Sequence, residues 1–220
     1  MFIGHFAVGF AAKRIAPRTS VATLLAAAQF LDLVWPVLVL LGWEQVRIDP
    51  GNTRFTPLDF VSYPWSHSLL MSLAWATAFA LVHQLVVRQW RGTIVIWGCV
   101  VSHWVLDWIT HRPDMPLYPG GPRLGLGLWN SVVATMILEI LMFATALWLY
   151  ARTTKPRDGV GQYAFLAYWA LLLFLYLANA FGGPPPNVNA IAGSGIAAAV
   201  IFIPWAWWFD QHRTLRTKLD

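Results

Sequence analysis

The sequence predicts an all-α fold, a polytopic transmembrane helical bundle of about six spanning helices plus a short N-terminal half-helix. Three observations predict it. Of 220 residues, 58% are hydrophobic and 11% are charged, against about 45–50% and roughly 25% in a soluble domain. Six stretches reach the about 17–25 mostly apolar residues that a bilayer-crossing helix needs: 20–42, 66–88, 93–110, 127–151, 163–182 and 190–209. The 14 Trp, 13 Phe and 6 Tyr suit rings that settle at headgroup level. The same composition excludes disorder. A single cysteine, Cys99, excludes an internal disulfide, and its apolar setting reads as packing.

The elements follow in order. The apolar piece 2–12 is too short to span. Lys13 and Arg14 follow it, whereas a secretory signal carries its charges first. It therefore reads as a half-helix with its charged end at the cytoplasmic surface and its start near mid-membrane. The first span carries Asp32 and Pro36, and the third span is short. Segment 111–131 holds four prolines and Gly120, Gly121, Gly125 and Gly127, so it cannot be one long helix. It reads either as a lid or substrate-gripping loop or as an ordinary connector. Trp129, Asn130 and Ser131 open the fourth span as anchor and cap. The run 182–187, Gly-Gly-Pro-Pro-Pro-Asn, breaks the chain before the last span. The whole of 1–220 reads as a single membrane-embedded domain, with the motifs in residues 1–151 and two additional spans in 152–220.

The positive charges divide between alternate connections. Lys13, Arg14, Arg18, Arg88, Arg91, Arg152, Lys155, Arg157, Arg213, Arg216 and Lys218 fall on one side. Arg47, Arg54, Arg112 and Arg123 fall on the other. The positive-inside rule then places both termini in the cytoplasm of a multi-pass protein. The basic residues form no continuous run, so membrane lipid is the expected partner of the net charge of +5 and no nucleic acid is expected.

Ionisable side chains at membrane depth are costly and read as functional by default. Asp32, Asp107 and Glu139 are the acids within the expected spans, and His5, His67 and His103 lie in or at the mouth of apolar segments. At about 1.5 Å of rise per residue, Asp32, His103, Asp107 and Glu139 lie roughly 18–24 Å from the nearest cytoplasmic arginine. That is the middle-to-outer half of a core about 30 Å thick. A shared depth suggests a cluster. His103 and Asp107 are spaced i, i+4 and share a helix face. Neutral imidazole and carboxylate are ligands of a divalent metal. The other reading is a polar network that glues helices together. Glu139 reads as a ligand, a general base or a packing hydrogen bond. His111 extends the His103–Asp107 face as a ligand or a support, or is a solvated loop residue.

The segments Gly4-His5-Phe6-Ala7, Phe30-Leu31-Asp32-Leu33-Val34-Trp35-Pro36, Ser66-His67-Ser68-Leu69 and Ser102-His103-Trp104-Val105-Leu106-Asp107 resemble, in order and chemistry, the YdjM-like family of bacterial inner-membrane metal-dependent hydrolases. The resemblance covers roughly residues 4–111. It implies metal ligands at His5, Asp32, His67, His103 and Asp107, with one or two ions, zinc first among them. Two departures stand out. The second acid of the family's Asp-x-Asp pair is Val34, and Ser62-Tyr63-Pro64 replaces its His-Arg-Gly. A second metal site or a phosphate-binding arginine is then either missing or supplied by Glu139, His111, Arg112 or Arg123.

The expected function is a membrane-bound metal-dependent hydrolase of an ester or phosphoester near the outer leaflet, with a lipid-linked or phosphorylated substrate. Glu139 and Asp107 are the catalytic candidates, and His111, Arg112 and Arg123 the substrate-binding ones. A transporter or metal-permeation protein is the alternative reading, and a non-catalytic membrane scaffold the second.

Overall fold

A computed structural model describes residues 1–216; Lys218, counted above among the cytoplasmic charges, lies outside them. The chain is a helical membrane protein. In order it forms α1 (Ile3–Ile15), α2 (Val21–Ala28), α3 (Phe30–Leu40), the hairpin strands β1 (Gln45–Ile48) and β2 (Leu58–Ser62), α4 (Pro64–His67), α5 (Leu69–Val87) and α6 (Trp90–Thr110). Then follow β3 (Met115–Pro116), β4 (Arg123–Leu124), α7 (Val132–Thr153), β5 (Thr154–Pro156), α8 (Gly159–Phe181), α9 (Val188–Gln211) and β6 (Arg213–Leu215). Helices α5 to α9 are each long and apolar enough to cross a membrane.

The expected first span is not one helix. It is α2 and α3, bent by 54° at Gln29. Pro36 lies seven residues beyond the bend, so its missing N–H does not explain it. The consequence is clear, however. Ending α2 at Ala28 leaves that residue's carbonyl to accept a hydrogen bond from His103 Nδ1, at 2.8 Å. The connection between the expected spans 20–42 and 66–88 also has regular structure, the antiparallel β1–β2 hairpin.

Most helix starts are written locally. Ser20, Ser68, Ser131, Asp158 and Asn187 each accept from a backbone N–H two or three residues on, capping α2, α5, α7, α8 and α9. Each cap is worth about 1 kcal/mol. The start of α1 is different. Glu139 of α7 accepts from the N–H groups of Phe2 and Gly4, at 2.9 and 3.0 Å.

The half-helix α1 is the centre of the bundle, packed against α2, α6, α7 and α8. Its Phe10 is wholly buried among Phe143, Tyr150, Phe165 and Tyr168, with edge-on ring contacts of 5.4–6.3 Å. Gly9 permits the approach to α2, because a Cβ there would lie 2.9 Å from Leu25 Cα. A second core joins α2, α3 and α6 through Leu24, Leu31, Ile96, Val100 and Trp104.

The basic groups 13–18, 88–91, 152–157 and 213–216 gather at one end. Thr19 bonds Gln89 and β5 pairs with β6. Not all of these charges are solvated. Lys13 is 6% exposed and donates to Asp210 and to the Thr19 carbonyl. Asp210 also accepts from Tyr150 and from the Val21 N–H. This network ties α1, α2, α7 and α9 together.

Candidate metal centre

Five side chains from four helices meet beside the start of α1. His5 comes from α1, Asp32 from α3, His67 from the end of α4, and His103 and Asp107 from one face of α6. His5 Nε2 lies 3.1 Å from Asp107 Oδ1, and His103 Nε2 lies 3.1 Å from Asp107 Oδ2. His67 Nε2 lies 3.4 Å from Asp32 Oδ1 and 3.7 Å from Asp107 Oδ2. His103 Nε2 also lies 3.7 Å from Asp32 Oδ1. The His5 and His103 rings stack at 3.6 Å. The donor atoms form two overlapping groups, His5–His103–Asp107 and Asp32–His67–His103, each within 4.8 Å.

The far sides of two imidazoles are already occupied. His103 Nδ1 donates to the Ala28 carbonyl. His67 Nδ1 bonds Ser66 Oγ at 2.7 Å, and Ser66 Oγ donates to Glu44 Oε2 at 2.6 Å. Glu44 is held in turn by the N–H groups of Trp65 and Ser66. A neutral ring that donates through Nδ1 keeps its lone pair on Nε2, the tautomer a metal requires. His103 Nε2 is buried and makes no aligned hydrogen bond among the described residues, despite its carboxylate neighbours. Ligands of a tetrahedral ion at about 2.0–2.2 Å would stand roughly 3.3–3.6 Å from one another. The donor spacings bracket that range, so the residues present fit a divalent ion. The N-terminal amino group also contacts Asp107 Oδ1.

The structure brings together all five residues expected as ligands. The other candidates stand outside that ligand set. Glu139 sits at the first turn of α1, with Oε2 engaged there and Oε1 buried without a hydrogen-bond partner among the described residues. His111 is separated from the cluster by Tyr63, whose ring lies 5.3 Å from that of His67 and 6.0 Å from that of His111. His111 Nδ1 and the Tyr63 hydroxyl both bond Asp114 Oδ1. Arg112 spans Asp59 and Asp114, and Arg123 donates to the Val61 carbonyl. Segment 111–131 is pinned by Leu126 N–H to Trp108 O and Gly127 N–H to His111 O. Gly125 permits this, since a Cβ there would collide with the Arg112 carbonyl. That is a fixed cover over the end of α6.

Glu44 and the Ala28 carbonyl escaped the sequence reading. The only sequence signal for Glu44 is a lone acid 22 residues before a Ser-His pair, which has no meaning until the β1–β2 hairpin folds it back. No protein-family model, no curated protein and no solved structure matches the chain.

Proposed function

We propose that the protein is a metal-dependent hydrolase of an ester or phosphoester, resembling the YdjM-like family and set in a bacterial inner membrane with both termini cytoplasmic. One observation carries it. Three imidazole Nε2 atoms and two carboxylates converge at 3.1–3.7 Å, with two of the imidazoles oriented from behind. His5, Asp32, His67, His103 and Asp107 would hold one or two ions, zinc by the chemistry of the donor set. A divalent ion supplies there a Lewis acid and a water that is acidic near neutral pH. The chain's own contribution is orientation and proton transfer. Glu44, through Ser66, keeps the His67 lone pair directed inward. Glu139 fixes α1, and so His5, through Oε2, and offers Oε1 as the atom that takes or returns a proton.

The reading is tested on purified protein in nanodiscs with a panel of p-nitrophenyl esters and phosphoesters. Hydrolysis that a chelator stops, that zinc restores and that is lost in Asp107→Ala supports it. Hydrolysis indifferent to both, or none with a fully metallated protein, contradicts it.

A further inference from the structure

Access to the cluster is one-sided. His5, His67, His103 and Asp107 are at most 4% exposed. The Asp32 side chain is 43% exposed, and it opens into a groove of about 390 Å³ between α1, α3, α8 and α9. That volume is within the about 300–1,000 Å³ of small-ligand sites. The groove walls are mainly apolar, built by Leu33, Pro36, Ala198 and Phe202, with Ser194 and Asn179 as polar exceptions. Helices α3 and α9 close together where Gly195 meets Pro36, whose ring would lie 2.8 Å from a Cβ on that glycine.

Gln29 lines the same groove at the bend between α2 and α3, three residues before Asp32. It is 6% exposed, and its Nε2 has no hydrogen-bond partner among the described residues. A buried donor without an acceptor is rare in a native fold and calls for an explanation. An oxygen of a ligand lying between Asp32 and the groove would supply the acceptor. A small polar substrate would gain nothing from apolar walls. A molecule with one long chain would fill them.

We propose that this groove holds the apolar chain of an amphiphilic substrate, whose ester or phosphoester head reaches the cluster past Asp32 and is gripped by the Gln29 amide. The assignment rests on the hydrolase reading for the word substrate, but the groove is testable without it. It also gives the two added spans, α8 and α9, a role in the site.

The probe is a dodecyl phosphate carrying a diazirine at the end of its chain, photolysed with the full-length protein in phosphatidylcholine nanodiscs. The expected label falls on α3 and α9 residues of the groove. Dodecyl phosphate competes it away and inorganic phosphate does not. Ala198→Trp, or Ser194→Phe should that variant not fold, lowers the label about tenfold with bound metal unchanged. Gln29→Leu weakens the dodecyl phosphate competition several-fold, again with metal retained. Label spread evenly over the lipid-facing helices, or undiminished in the folded groove variants, overturns the proposal. Saturable groove labelling without turnover of any amphiphilic ester or phosphoester would sink the hydrolase reading and leave the groove. Turnover of short-chain substrates without groove labelling would do the reverse.

Discussion

Two neighbouring groups of histidine and aspartate use their polar atoms differently. In the outer group Asp114 accepts from Tyr63, His111 and Arg112, and Arg112 extends to Asp59, which Arg47 also meets. Donors and acceptors satisfy one another there. In the inner group the hydrogen bonds of His67 and His103 are spent on the far side of each ring, and their Nε2 atoms face two carboxylates that bring no proton of their own. Composition does not distinguish the two. What distinguishes them is where the surrounding backbone and loop acids direct the lone pairs. The outer group reads as structure, and the inner one as a ligand set.

The largest expected effect comes from the shared member of the two donor groups. His103→Ala removes bound metal and hydrolysis together, while thermal unfolding still reports a folded bundle. If the metal stays, the ligand assignment fails. Next come the residues behind His67. Glu44→Gln and Ser66→Ala each weaken metal affinity about 10–100-fold, measured by competition with a chromogenic chelator. Unchanged affinity would make the Glu44–Ser66–His67 chain a loop fastening only.

Glu139 separates two roles. Glu139→Gln keeps a carbonyl oxygen for the Phe2 and Gly4 N–H groups but cannot accept a proton. It should lower kcat by about 10²–10⁴ with metal retained. Glu139→Ala should also loosen α1. Equal, small losses in both variants would remove Glu139 from the chemistry.

The outer group predicts a stability effect alone. Burial pushes the Asp114 carboxyl up, and the hydrogen bonds from His111, Tyr63 and Arg112 more than offset it, holding it below its ordinary value. A carboxyl lowered in the folded state stabilises the fold above its unfolded pKa, about 3.9. That contribution fades as pH falls through the lower folded value. Asp114→Asn should cost about 1.5–3 kcal/mol near neutrality, and the difference from wild type should shrink below about pH 4. Denaturant unfolding across pH checks this, with metal content unchanged. The smallest effect is Ser131→Ala, a lost cap on α7 of about 1 kcal/mol with no change in metal or turnover.

The sequence made much of this legible, but not evenly. The spans α5 to α9 follow from apolar length alone. The i, i+4 pair His103–Asp107 follows from helical spacing, and the three distant members of the cluster from short motifs around His5, Asp32 and His67. The bend at Gln29 was hidden because the apolar run continues through it and the only breaker, Pro36, lies elsewhere. Lys13 reads as a surface charge until Asp210, 197 residues away, is folded onto it. Glu44 and the Ala28 carbonyl are supports, and a support has no pattern of its own. It acquires meaning only from the tertiary contact that it makes.

The most direct test of the contrast between the two groups is elemental analysis of three proteins purified in parallel: wild type, Asp107→Ala and Asp114→Asn. The account predicts one or two divalent ions, zinc foremost, per wild-type chain, none in Asp107→Ala, and the wild-type content in Asp114→Asn. A metal-free wild type, or metal that survives Asp107→Ala, would contradict it.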